Sequence, residues 1–302
     1  LYTKGERYYF SNLSLESGLS QITVDAILQD SKGFMWVGTR NGLNRFDGDR
    51  FDIFQTHELD DTSISENHVL CMVEDHMENL WIGTNDGGLN FYDTEKKKYT
   101  YYIHDERRSN RLGSNNVKAL YLDETNHLVY VGTHAGGLNI LNTRSGSMEL
   151  FNSRNSALVD DNVYDITPVG DGRMWVGTLS GLYTYDPKTR KFERVEQEAD
   201  GSRFNIRRIT VLFRDTKKRL WVGGEQGMKI YNQVNGRLES ARVLPDSLPI
   251  RKAFINCIHE ARNGIYWIGT REGVYGYDEL RKELRQYTTA NQLPNNVVYG
   301  IL

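Results

Sequence analysis

One phrase, repeated six times, constrains this chain more than any other feature. "MWVGTRNGLNRFD", ending at Asp47, returns as "LWIGTNDGGLNFYD" to Asp93 and "VYVGTHAGGLNILN" to Asn142. It returns again as "MWVGTLSGLYTYD" to Asp186, "LWVGGEQGMKIYN" to Asn232 and "YWIGTREGVYGYD" to Asp278. The aromatic anchors are Trp36, Trp81, Tyr130, Trp175, Trp221 and Trp267, spaced 45 to 49 residues apart. A constant period of that length implies equivalent units, each burying its apolar face against the next.

Each unit reads as four short strands, a to d. Strand a is a V-x-x-I run: Val24–Ile27, Val69–Met72, Val117–Leu120, Val163–Ile166, Ile209–Leu212 and Ile255–Ile258. A polar turn such as "QDSKG" follows, then strand b with the anchor and Val/Ile-Gly-Thr. A glycine turn leads to strand c, Leu-x-x-Tyr/Phe-Asp, and an aromatic run such as "RFDIF" or "KYTYY" makes strand d. Only 5 prolines among 302 residues, with 11% aromatics, suit strands. Short strands at regular spacing argue an all-β fold, and four strands per unit match the blade of a β-propeller. The anchor fills the wedge between blades, and the following glycine admits the neighbouring backbone.

The unit count predicts seven blades, six complete. "PNNVVYGIL" at the end aligns with strand a, and "RYYFSNLS" (Arg7–Ser14) with strand d. The expected layout is one domain over 1–302, with blades at about 20–56, 66–103, 115–152, 161–196, 207–243 and 254–288. A partial closing blade is expected from 5–14 and 295–302, the chain being a fragment of a longer protein. An unclosed blade exposes strand edges, and the gap is expected to be filled by a symmetry mate, a swapped segment or disorder. Cys71 and Cys257 fall at the same position of their units, which also holds Ala26, Asp165 and Val211. They are expected as separate, buried free thiols.

The motif W-[VI]-G-T-x-x-G-[GL]-L-x-x-[YF]-D, preceded by NxVxxIxxD, resembles the two-component-regulator propeller repeat. The opening "FSNLSLESGLSQITVDAILQDSKGFMWVGTRNGLNRFDG" is similar to that of hybrid two-component sensor ectodomains. The resemblance covers nearly the whole chain. Tyr130 for Trp, Gly224 for Thr and Met228 for Leu are its departures. It implies a periplasmic ligand-sensing module of a membrane-anchored histidine kinase, controlling glycan-utilisation genes. The implied partners are an oligosaccharide, a second propeller and an immunoglobulin-like module of the same parent, in a homodimeric receptor. No nucleic-acid partner, cofactor or metal is implied for this region.

In such a ring the d–a and b–c loops open on one face. The b–c pairs are Arg40-Asn41, Asn85-Asp86, His134-Ala135, Leu179-Ser180, Glu225-Gln226 and Arg271-Glu272. They differ from unit to unit while the motif around them holds, as binding loops on a rigid scaffold do. The d–a loops add Arg107, Arg108, Arg111, Arg203, Arg207, Arg208 and Arg251, and Tyr164, Phe204 and Tyr299 lie nearby. Arginine forks match carboxylates and sulfates, so an acidic glycan is one option. The same loops carry Asp60, Asp61, Asp160, Asp161, Glu196, Glu198 and Asp246, which equally suit a solvated mixed-charge rim. The candidate ligand-binding or interdomain residues are Arg40, Asn41, Asn85, Asp86, His134, Tyr164, Arg207, Glu225, Gln226, Arg271 and Glu272.

Other chemistry fails in the sequence. "DGDRFD" from Asp47 is calcium-like, but Phe51 takes the fifth position and Asp52 the place of the required glycine. It is expected as a c–d turn. GxSxG, HExxH and GxxxxGK[ST] do not occur. A net charge of −3 is unlike a nucleic-acid binder, and no apolar run of about 18 residues exists to cross a membrane. Two rival readings stay open at this point. A propeller hydrolase or lyase would need paired carboxylates at the channel mouth, whereas Asp86, Glu225 and Glu272 lie on different units. A WD40-type scaffold would carry GH and WD dipeptides that this motif lacks.

Overall fold

The protein is described by a computed structural model covering residues 10–57, 62–108, 110–198, 201–232, 237–240, 250, 252–291 and 293–302. Blade 1 consists of β1 (Val24–Gln29), β2 (Met35–Thr39), β3 (Gly42–Phe46) and β4 (Phe51–Phe54). Blade 2 has β5 (Val69–Glu74), β6 (Leu80–Thr84), β7 (Leu89–Asp93) and β8 (Lys98–Tyr102). Blade 3 has β9 (Val117–Asp123), β10 (Leu128–Thr133), β11 (Leu138–Asn142) and β12 (Met148–Phe151). In blade 4 lie β13 (Val163–Pro168), β14 (Met174–Thr178), β15 (Leu182–Asp186) and β16 (Lys191–Arg194). Blade 5 holds β17 (Ile209–Arg214), β18 (Leu220–Gly224), β19 (Gly227–Asn232) and β20 (Arg237–Ser240). Blade 6 is β21 (Ile255–Glu260), β22 (Ile265–Thr270), β23 (Gly273–Asp278) and β24 (Glu283–Tyr287). Every sheet is an antiparallel meander in chain order, and the inner strands β1, β5, β9, β13, β17 and β21 contact one another in sequence. This is a β-propeller.

The repeated phrase builds the junctions between blades. Trp36 packs with Val69, Leu80 and Ile82 of blade 2, and Trp81 with Val117 and Val129 of blade 3. Tyr130, Trp175 and Trp221 are buried in the same way. The glycine two residues after each anchor lies against the next inner strand. A Cβ on Gly83 would stand 2.6 Å from Val117 Cγ1 and 2.5 Å from Cys71 Sγ. Trp267 departs from the expectation and is only half-buried, since among the described residues no seventh sheet covers blade 6.

The closing blade is thus not present as a sheet. Residues 10–14 and 295–302 form no strand, and residues 5–9 of the expected amino-terminal strand lie outside the described residues. The carboxy-terminal segment nevertheless occupies the inner ring. Val298 N–H donates to Thr270 O at 2.9 Å, and a Cβ on Gly269 would stand 2.9 Å from Val298 Cγ1. On the other side, Gly300 lies against Ile27 of blade 1. Val298 therefore meets Gly269 as Val117 meets Gly83. Both cysteines are free, and burial pushes each thiol up to about 12. The calcium-like stretch is a tight turn between β3 and β4, where Asp47 Oδ1 accepts the Asp49 and Arg50 N–H groups.

Candidate functional site

The face formed by the b–c turns and d–a loops is shaped by the motif's small residues. Each motif threonine turns its hydroxyl back to the carbonyl of the glycine closing the b–c turn. The pairs are Thr39–Gly42, Thr84–Gly88, Thr133–Gly137, Thr178–Gly181 and Thr270–Gly273, at 2.8–2.9 Å. Blade 5 has Gly224 instead, and a side chain there would collide with Arg208 O at 2.5 Å. With the turn closed by backbone and threonine, the intervening residues are left to point outward. Arg40, Asn41, Asp86, His134, Glu225, Gln226, Arg271 and Glu272 are all exposed, whereas Asn85 and Tyr164 are half-buried.

Each b–c turn is also tied to a d–a loop, either the one before its own strand a or the one before the next inner segment. Gly42 N–H donates to Asn67 O, Asn85 to His68 O, His134 to Asn116 O and Leu179 to Asn162 O. Glu225 N–H donates to Arg207 O, and Gly273 N–H to Asn296 O. A further tie comes from asparagines that sequence reasoning passed over. Asn44, Asn90 and Asn139 are fully buried and accept from Ser20, Ser65 and Gly113 N–H on the approach to strand a. The signal was the "L-N" of the first three copies. The result is a hydrogen-bonded collar of turns and loops on which side chains can be exchanged without loss of scaffold.

The inner strands add a second ring of side chains. Every strand a carries a bulge between its first valine or isoleucine and the small residue two positions later. The bulged residues are Asp25, Leu70, Lys118, Tyr164, Thr210 and Asn256, and a bulge re-aims its side chain out of the ladder. Only Tyr164 among them belonged to the expected site. The others were legible as the residue after each strand-a valine.

Charges on this face pair locally instead of forming one patch. His68 Nε2 lies 2.8 Å from Asp25 Oδ2, and Arg40 Nε 3.7 Å from the same oxygen. Arg207 N–H donates to Gln226 Oε1 at 2.7 Å, which joins Arg207, Glu225 and Gln226. Arg208 stacks over Tyr164 at 5.8 Å, and Arg271 over Phe254 at 3.8 Å. Asn85 accepts from Asn116 Nδ2 at 2.9 Å. Arg107 and Arg108 fold back on Asp105, and Arg111 on His104. Asp60, Asp61, Asp246 and Arg251 lie outside the described residues. Lys118 is held below the usual lysine range by burial. Burial likewise pushes Asp165, one residue past the bulge, up to about 7. Beside the collar, a groove of about 360 Å³ is lined by Ser180, Arg194, Glu196, Arg203 and Phe204. The face thus offers exposed guanidinium and amide groups, stacked aromatics and one groove. These are means of binding a polar ligand.

Comparison with known proteins places this geometry. The two-component-regulator propeller family model matches residues 18–41, 63–86 and 157–180. Each matched segment runs from a d–a loop through strands a and b to the b–c turn. A 65-residue stretch is 45% identical to Histidine kinase P4 of Formosa agariphila, covering 22% of this chain and 5% of that protein. Among solved structures, the extracellular domain of the B. thetaiotaomicron hybrid two-component system BT3049 superposes with TM-score 0.83 and 22% identity. That match covers 97% of this chain and 39% of the other. PorZ, a surface component of the type-IX secretion system of Porphyromonas gingivalis, superposes with TM-score 0.75 and 16% identity over 93% of this chain and 44% of its own. At such identities the structural likeness shows the fold alone. The chain spans 5% of the length of that histidine kinase and less than half of each of these solved chains. Among the described residues, no helix is long and apolar enough to cross a membrane.

Proposed function

We propose that this chain, built from two-component-regulator propeller repeats, is the non-catalytic ligand-sensing module of a hybrid two-component receptor. The observation that carries the reading is the match of three repeats to that family model, each ending on the b–c turn. The relatives' descriptions support an extracytoplasmic position, and we place the module in the periplasm of a membrane-anchored histidine kinase. The ligand is an oligosaccharide bound on the b–c and d–a face, where exposed amides and guanidinium groups stand beside Tyr164 and Phe204. Sugar hydroxyls need such donors and acceptors, and sugar rings stack on aromatic faces. A second propeller and an immunoglobulin-like module of the parent, in a homodimer, would complete the receptor. In that receptor residues 295–302 would become the inner strand of a closing blade completed by further chain.

Titration calorimetry of this domain with neutral and acidic oligosaccharides tests the reading. Binding without product formation is expected, and Arg207→Ala should weaken it by about tenfold, near 1.4 kcal/mol, with an unchanged melting temperature. Arg207 suits this test because its side chain is exposed. Turnover of any oligosaccharide would replace a sensor by an enzyme. Undiminished binding in both Arg207→Ala and Arg271→Ala would move the site off this face.

A further inference from the structure

The opposite face, formed by the a–b and c–d turns, holds a cleft of about 290 Å³ between blades 2 and 3. Its floor is aromatic: Trp81, Phe91 and Tyr102, with the Trp81 and Phe91 rings 4.7 Å apart. Its rim carries Asp75 and Glu124. An adjoining open recess of about 550 Å³ adds Glu74 and Asp123.

The sibling junctions show what such a place accommodates. Between blades 1 and 2, Arg45 lies over Phe34 at 4.9 Å and Trp36 at 5.8 Å, and its guanidinium is bonded to Asp52 at 2.6 Å. Between blades 5 and 6, Arg219 lies over Trp221 at 5.4 Å and Tyr266 at 5.8 Å. It also bonds Asp215 and Glu279 at 2.6 and 2.7 Å. In both cases an arginine of the chain fills the space between aromatic faces and carboxylates. Blade 2 has the aromatic faces and the carboxylates without the arginine. Phe91 stands opposite Trp81 where Arg45 stands opposite Trp36, and Asn79 precedes Trp81 where Arg219 precedes Trp221. Among the described residues, no cation stacks on Trp81, Phe91 or Tyr102.

A second difference concerns the indole nitrogen. Trp36 Nε1 donates to Asp30 at 2.8 Å and Trp221 Nε1 to Asp215 at 2.9 Å. In blade 2 the equivalent carboxylate, Asp75, is engaged by the Met77 and Asn79 N–H groups and by Asn79 Nδ2. Among the described residues, Trp81 Nε1 has no acceptor, although Trp81 is 4% exposed. The wall of the cleft therefore carries no stacked cation and leaves the Trp81 N–H free to donate, and an arginine-bearing peptide brings a cation and a carbonyl together.

We propose that this cleft receives an arginine side chain presented by a peptide segment of a partner protein. The guanidinium stacks on the Trp81–Phe91–Tyr102 surface and faces Asp75 and Glu124, while a peptide carbonyl accepts from Trp81 Nε1. The neighbouring Lys32 pairs with Glu78 at 2.5 Å, and His76 Nδ1 lies 3.0 Å from Glu124 Oε1, which leaves Glu124 Oε2 for a ligand. Arginine suits the place because its flat, weakly hydrated head stacks and forks at once. The site is independent of the proposed oligosaccharide face.

The test titrates the intact domain at neutral pH with a short blocked peptide bearing a central arginine. An otherwise identical citrulline peptide serves as the control. Saturable binding of the arginine peptide is expected, with the citrulline peptide at least about tenfold weaker. Phe91→Arg, which installs the residue blade 1 carries at this position, should abolish peptide binding and leave the melting temperature unchanged or raised. Glu124→Gln, on an exposed turn, should weaken binding severalfold in a folded protein. Equal affinity for the two peptides, absence of saturable binding up to millimolar peptide, or full binding by Phe91→Arg would each overturn the proposal.

Discussion

Asp165 shows how one residue can be both out of place and structural. It sits at the position that holds Cys71 and Cys257 in other blades, buried among inner strands. Its Oδ1 accepts Ile166 N–H at 2.8 Å and Oδ2 accepts Leu212 N–H of blade 5 at 2.6 Å. Those bonds favour the carboxylate, yet burial outweighs them and pushes the group up to about 7 from an ordinary 3.8. Between those two values the folded state retains a proton that the unfolded chain has released. Stability contributed by the neutral acid is therefore full at the acidic end and is lost as pH rises through about 7. Asp165→Asn removes the titration. Denaturant unfolding across this range should show a shallower decline in the variant, with an overall loss of about 1 kcal/mol for the Leu212 bond. Parallel pH profiles for the two proteins would refute the assignment. The sequence showed Asp165 only as an odd member of a small-residue column. That it bridges two blades follows from which neighbour its carboxylate reaches, a fact of packing and not of spacing.

At the scale of the element, the motif's legibility was uneven for a physical reason. Anchors, glycines and threonines serve the blade itself, so six copies agree and alignment exposes them. Asn44, Asn90 and Asn139 tie down only three loops, and Arg107, Arg108, Arg111 and Arg271 of the rim find local partners that no spacing announces. Arg107 and Arg108, for example, turn back to Asp105 of their own loop. The glycines make the sharper prediction. Gly83 has ordinary φ and is required because Val117 of blade 3 and Cys71 of its own blade come so close. Gly83→Ala should cost about 1–3 kcal/mol by overpacking. Val117→Ala removes one of the two groups it would strike, so the same substitution should cost markedly less in that background. A double-mutant cycle in urea reads the coupling. Simple additivity would mean that the blades can part without strain.

For the whole molecule the question is how a ring of six sheets holds its remaining gap. Blade 6 meets Val298 through Gly269, and Val298 O accepts Asn256 Nδ2 at 2.9 Å. Two residues on, Gly300 abuts Ile27, so the segment 295–302 touches both ends of the ring. Blades elsewhere are each clamped by two complete neighbours, while blades 1 and 6 each rely on this segment on one side. In a repeat architecture, stability is a sum of unit and nearest-neighbour terms, and a weakened interface is felt first by the units that share it. Val298→Asp places a charge where the sibling positions Val69, Val117, Val163, Ile209 and Ile255 are buried. The variant should lose hydrogen-exchange protection in β1 and β22 while β10 and β14 keep theirs. Uniform loss across all blades would instead mean that the ring opens only as a whole. Unchanged protection at β1 and β22 would show that the segment does not hold the two ends together.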